Sequence, residues 1–129
     1  MHRVFSLTVP VQIRFSDLDP LNHVNNVAYF SLMETARVEA VRRLPRTLRG
    51  HMVVRHASCD YDSEIRGGTR SVDITVSVEK IGRSSFSLLH EIHADDAVVA
   101  VGHVTMVALG DMDRRPRPLD DAERAFLEA

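Results

Sequence analysis

Residues 14–30 read RFSDLDPLNHVNNVAYF, and the change of character inside this stretch decides the fold. Just upstream, Val9, Val11, Ile13 and Phe15 alternate with Pro10, Gln12 and Arg14, the period of a half-buried strand. Pro10 suits the start of that strand or an edge position. From Ser16 to Asn25 the chain turns polar and carries Pro20, which marks a loop. Beyond it Tyr29, Phe30, Met33, Ala36, Arg37, Ala40, Val41 and Leu44 recur at intervals of three and four, the stripe of an amphipathic helix. Asn25 or Asn26 is a good N-cap and Pro45 stops the helix, which gives a length of about 18 residues.

Four strands follow, joined by short turns. Val53, Ala57, Cys59 and Tyr61 mark the first, from about His51 to Ser63, and Arg66-Gly67-Gly68 turns the chain. Val72, Ile74, Val76 and Val78 alternate with polar residues, and Gly82-Arg83 turns the chain again. Phe86, Leu88 and Ile92 mark a strand that Asp95-Asp96 ends. The last runs from Ala97 to about Leu109 and is apolar on both faces, as a central strand covered on both sides would be. Asp120 with Glu123 resembles a capping box and predicts a short final helix. One long helix against an antiparallel sheet of about five strands is an α+β layer arrangement. A single helix covers one face only, so a second copy of the chain is the simplest cover for the rest.

The whole chain, residues 1–129, reads as a single domain without repeats. A net charge of −2 leaves no basic field for nucleic acid, and the positive charge is almost all arginine, Lys80 being the only lysine. Cys59 is the only cysteine, so no internal disulfide forms and a reducing compartment is favoured. The opening MHRVFSLTVPVQ lacks the basic-then-apolar pattern of a signal peptide, and no stretch approaches the roughly 20 apolar residues of a membrane span. A cytoplasmic protein is the expectation.

The loop before the helix carries the chemistry-bearing residues. Asp17, Asp19, His23, Asn25 and Asn26 fall within ten positions, directly upstream of a helix N-terminus. Such a terminus offers unpaired backbone N–H groups and about half a positive charge, which can hold an oxyanion. A carboxylate beside it can attack a carbonyl or deprotonate water. The bland reading is equally physical: Asp-Pro and Asn-rich stretches form turns and caps.

The pattern Asp17-Leu18-Asp19-Pro20, His23-Val24-Asn25-Asn26, Tyr29, then Glu34 and Arg37, resembles the opening motif of the 4-hydroxybenzoyl-CoA thioesterase-like hot-dog family. The similarity extends, less specifically, through Arg66-Gly67-Gly68, Lys80 to Phe86, and Gly102. The resemblance implies a hot-dog fold, an antiparallel sheet wrapped around one long central helix. It also implies two chains paired with their sheets joined, and acyl-CoA substrates bound in clefts between subunits. It makes Asp19 the catalytic carboxylate and Asp17 a structural partner of the loop backbone. Asn26 takes the place of the residue whose backbone N–H faces the thioester carbonyl. Some members carry a histidine there as a helper; asparagine here puts that help in doubt, and His23 lies three residues earlier. Asn25 is expected to orient water or the loop; Tyr29 and Met33, one helical turn apart, are candidates to border the acyl pocket, although such a stripe is usually core. The resemblance places groups that meet the CoA phosphates at Arg83, Ser84 and Ser85, where a solvated turn is the bland alternative.

The other candidates read as structure. Glu34 and Arg37 stand at i, i+3 and suit a surface pair. His90-Glu91-Ile92-His93 is one residue short of a zinc-protease motif and lies on a strand, where the two histidines face opposite ways. Cys59 has no partner base and reads as a structural thiol. No metal or cofactor is expected. The expected activity is acyl-CoA hydrolysis by Asp19, as general base or nucleophile. The alternatives are a hydratase or dehydratase of CoA or carrier-protein thioesters, using Asp19 with His23, and a non-catalytic acyl-CoA-binding module. The expected assembly is an obligate homodimer, which can pair again into a homotetramer.

Overall fold

The computed structural model describes residues 4–129. In chain order it contains β1 (Ser6–Gln12), α1 (Ala28–Val41), β2 (Met52–Tyr61), β3 (Ser71–Ile81), β4 (Ser85–Ala94), β5 (Ala97–Ala108) and α2 (Asp121–Glu128). The five strands form one sheet in the order β1-β3-β4-β5-β2, and every neighbouring pair is antiparallel. The alternation read in β3 becomes its burial: Val72, Ile74, Val76 and Val78 all lie in the core. Ile74 faces Ile92 and Val78 faces Leu88 across the β3–β4 ladder. Burying each such side chain contributes roughly 1.5–3 kcal/mol. Asp95 and Asp96, with φ of 51° and 64°, form the tight β4–β5 turn.

Two boundaries differ from the sequence reading. β1 ends at Gln12, and Phe15, expected as the last strand residue, is 92% exposed in a 3-10 turn spanning Phe15–Asp17. The cause is local, since the Asp17 carboxylate accepts from the Arg14 N–H at 2.8 Å and winds the chain out of the sheet. The long helix is also shorter than expected: α1 has 14 residues. Its ends are tightened by i→i+3 bonds, Ala28 N–H to Asn25 and Phe30 N–H to Val27 at the start, Leu44 N–H to Val41 at the finish.

Tyr29, Leu32, Met33, Ala36 and Ala40 are the buried face of α1. A Cβ on Gly102 would collide with the Met33 sulfur, so this glycine lets α1 sit close over β5. The inner face of β5 is covered as expected, but Val101, His103 and Thr105 on the other face are only half-buried. β1 and β2 are the two edge strands, and of these β2 has no buried residue; Val53 and Val54 are 48% and 44% exposed.

The capping box of α2 forms in both directions, Glu123 N–H to the Asp120 carboxylate at 2.7 Å and Asp120 N–H to the Glu123 carboxylate at 2.9 Å. Glu123 is fully buried and also accepts from both Arg117 terminal nitrogens at 2.8 Å and from the Thr47 hydroxyl at 2.6 Å. The Arg117 guanidinium holds the Glu123 carboxyl down at about 2. This clamp fastens α2 to the segment after α1. Neither helix is long and apolar enough to cross a membrane.

Candidate active site

The loop between β1 and α1 is a small hairpin. Leu18 bridges Val24, Asp19 N–H donates to the His23 carbonyl at 3.0 Å, and Asn22 N–H returns to the Asp19 carbonyl at 3.0 Å. Asn22 makes the turn in the left-handed region, at φ 61°. A second segment pins the hairpin: Val24 N–H donates to Ile65, Gly67 N–H donates to Asn22, and His23 bridges Arg66. A Cβ on Gly67 would collide with the Asn22 side chain, so the glycine permits this approach.

Asp17 has the structural part expected of it. Its side chain is buried and accepts from the Arg14 backbone and guanidinium, at 2.8 and 3.0 Å, while its carbonyl accepts from Asn25 N–H at 2.8 Å. Asp19 differs, with a side chain that is 18% exposed. One of its carboxylate oxygens accepts from Leu21 N–H at 2.9 Å, and the other lies 3.4 Å from the His23 ring nitrogen Nδ1. The Asp19 carboxylate thus reaches the surface of a hairpin held on both sides.

Val27, and not Asn25 or Asn26, is the N-cap of α1, and it makes no side-chain cap bond; Asn25 instead shapes the turn before it, its side-chain oxygen accepting from Val27 N–H at 3.0 Å and its carbonyl from Ala28 N–H at 2.9 Å. The Asn26 side chain is exposed, and its N–H meets no acceptor among the described residues. The Asn26 carbonyl accepts from the Tyr61 hydroxyl at 2.9 Å. The Tyr61 ring meets that of Tyr29 edge-on, with centroids 4.9 Å apart. Tyr29 is 2% exposed, so within one chain it belongs to the core and not to an open pocket. Burial pushes both phenols up, and each keeps its proton at neutral pH. A shallow groove lined by Ile13, Phe15, Leu18 and Arg70 adjoins the hairpin.

The remaining expected residues lie elsewhere. Arg83 and Ser84 lie in the β3–β4 turn and Ser85 opens β4, at the far end of the sheet from Asp19. β3 spans the distance: Ser71 pairs with Gln12 beside the hairpin, and the other end of this 11-residue strand, Ile81, reaches the turn, roughly 33 Å away at ~3.3 Å per residue. The turn's own carbonyls are used inside the fold, Arg83 by Leu119 N–H and Ser84 by Ala108 N–H, while the Arg83 side chain is exposed. One chain does not bring Arg83 and Asp19 together.

The Glu34–Arg37 surface pair is not formed. Arg37 turns inward and its guanidinium lies 3.4 Å from His90 Nε2, because the i, i+3 carboxylate stays in water while Arg37 packs over the sheet. His90 faces α1 and is fully buried; His93 lies on the opposite face, half-buried. Burial first, and the Arg37 charge second, bring the His90 imidazole down to about 4. Cys59 is half-buried, and burial pushes its thiol up, away from nucleophilic use. Tyr61 is the site residue that spacing did not reveal: it read as a strand marker, and its contact with Asn26 spans 35 positions.

A family model described as the thioesterase-like superfamily matches residues 13–127. No curated protein matches the sequence. Among solved structures, a thioesterase from Thermus thermophilus, complexed with coenzyme A and zinc, is 37% identical with a TM-score of 0.83, covering 93% of this chain and 90% of that one. A predicted thioesterase from Bacillus stearothermophilus is 28% identical with a TM-score of 0.85, covering 95% and 94%. A 1,4-dihydroxy-2-naphthoyl-CoA thioesterase from Synechocystis shares the fold at a TM-score of 0.79 and 17% identity, covering 95% and 96%.

Proposed function

The chain belongs to the thioesterase-like superfamily, and on that premise we propose that it hydrolyses an acyl-CoA thioester to the free acid and CoA. The observation that carries this reading is a partly exposed carboxylate, Asp19, in a pinned hairpin that leads straight into the unpartnered N–H of Asn26. The thioester carbonyl oxygen accepts from the Asn26 N–H, where the start of α1 adds positive charge. Asp19 either takes a proton from water as the hydroxyl adds to the carbonyl carbon, or adds itself and is released by water. Collapse of the oxyanion breaks the C–S bond. Thiolate is a good leaving group and takes up the proton, so no strong general acid is required. His23, 3.4 Å from Asp19, orients the carboxylate, and Asn25 holds the helix start.

The proposed active unit is a homodimer. The exposed edge strand β2 supports it, since an unpaired edge is a template for pairing. Two β2 edges related by a two-fold axis run antiparallel, so the Met52 end of one meets the Tyr61 end of the other. Met52 pairs with Ala108, whose N–H bonds Ser84 in the β3–β4 turn; Tyr61 bonds the loop that carries Asp19. Pairing therefore carries the partner's Arg83 toward the end of the sheet that holds Asp19. The CoA phosphates then meet Arg83, Ser84 and Ser85 of one subunit while the thioester meets Asp19 of the other.

The test is release of free thiol from short, medium, long and aromatic acyl-CoAs, followed by Asp19→Asn on the best substrate. The expected fall in kcat is at least ~100-fold with the fold retained. Asp17→Asn is the control and should cost stability, about 1 kcal/mol, more than turnover. Wild-type turnover in Asp19→Asn would refute the mechanism. The 3.4 Å approach of His23 to Asp19 also suits a hydratase acting on an enoyl thioester. Hydration of enoyl-CoA without thiol release would favour that second reading.

A further inference from the structure

Tyr61 closes β2, and its hydroxyl donates to the carbonyl of Asn26 at 2.9 Å. That carbonyl is free to accept for a local reason. In a regular α-helix it would take the Phe30 N–H, but Phe30 bonds Val27 instead, at 3.2 Å, because the first turn is wound tighter. The Asn25 carbonyl is likewise held by Ala28 N–H at 2.9 Å. The peptide plane before residue 26 is thus fixed by one hydrogen bond, and the plane after it by two, since its Val27 N–H also donates to the Asn25 side-chain oxygen at 3.0 Å. The Asn26 N–H belongs to the first plane; the second is held at its N–H by the Asn25 side chain, and Tyr61 is the only side chain that holds its carbonyl among the described residues. The phenol is itself well anchored. Its ring stands edge-on to Tyr29 at 86° with a 4.9 Å centroid distance, and Tyr29 is buried in the core.

We propose that Tyr61 is a positioning residue: by holding the Asn26 carbonyl it fixes the direction of the Asn26 N–H toward the thioester oxygen. The proposal rests on the hydrolase reading above for its chemistry, and on the geometry of residues 25–30 for its structural half. Tyr61 touches no reacting atom in this role. With the Asn25 side chain it limits the freedom of the plane adjoining the one that carries the Asn26 N–H, and a donor aimed before the reaction costs no reorganisation in the transition state.

Tyr61→Phe removes the hydroxyl alone and keeps the ring against Tyr29. The expected result is a kcat about 10-fold lower at unchanged KM, because the oxyanion forms after substrate has bound. Amide exchange at Ala28 and Phe30 should quicken about 10-fold, with the sheet amides and the melting temperature unchanged. Wild-type kcat together with unchanged exchange at Ala28 and Phe30 would overturn the proposal. So would a general loss of protection across the sheet, which would make the hydroxyl a stability contact only. If the wild-type protein releases no thiol from any acyl-CoA, the hydrolase reading fails, and the exchange measurement still decides whether Tyr61 holds Asn26. If the wild type is active and Tyr61→Phe is equally active, the positioning role alone fails.

Discussion

His90 should give this fold a measurable acid sensitivity. The side chain sits on β4 under α1, flanked in the ladder by Val76 and Gly102, and none of it is exposed. Its Nε2 faces the Arg37 guanidinium at 3.4 Å, and its Nδ1 has no hydrogen-bond partner. His103 on β5 adds a further unfavourable charge, and Glu34 acts only by supporting the Arg37 charge. The imidazole is therefore driven from its ordinary 6.5 down to about 4, by burial first and Arg37 second. The unfolded chain takes up a proton on His90 near pH 6.5, and the folded chain only near pH 4. Stability due to this residue is fully present above pH 6.5, falls as the pH drops, and levels off below about 4. At about 1.36 kcal/mol per pH unit the whole loss is about 3 kcal/mol. His90→Gln keeps an acceptor for Arg37 but cannot titrate. Denaturant unfolding of both proteins at pH 7, 6, 5 and 4, at one fixed protein concentration, isolates the effect from the other histidines. The wild type should lose about 3 kcal/mol more than the variant across that range. Equal pH slopes would refute the reasoning and mean that the imidazole charges inside the fold.

Two further outcomes test the proposed site between subunits. Arg83→Ala should raise KM for acyl-CoA at near-constant kcat and leave a pantetheine thioester unaffected; equal effects on both substrates would reject a phosphate contact. Light scattering at micromolar concentration should show a dimer or a pair of dimers with no stable folded monomer, and a well-folded monomer would sink the intersubunit site.

Where the sequence was legible, the signal was local. Val72 to Val78 alternate in sequence and in burial, because β3 has a dry face and a wet one. The stripe on α1 is likewise its buried face at Tyr29, Met33, Ala36 and Ala40; Leu32 joins it, while Phe30 is 37% exposed at its flank. The box at Asp120 and Glu123 was readable because both partners lie within three residues; the cap expected at Asn25 or Asn26 fell one or two positions early, since the turn before α1 makes Val27 the N-cap. Phe15 misled as well. It continued an alternation that one buried carboxylate, Asp17, had already ended.

What spacing could not reveal are contacts made across the fold. Arg37 has an obvious local partner in Glu34, yet its nearest polar neighbour is His90, 53 positions away. Water solvates an exposed carboxylate so well that a surface pair at i, i+3 gains only a few tenths of a kcal/mol, and packing over the sheet outweighs that. Tyr61 and Asn26 are joined in the same manner, and they meet where the edge strand β2 reaches the loop. The strand whose unpaired edge invites a second chain therefore ends on the residue that holds the helix start. In the proposed dimer, pairing at β2 would also order the hydroxyl that grips Asn26, so the proposed assembly and the proposed oxyanion geometry would share one element.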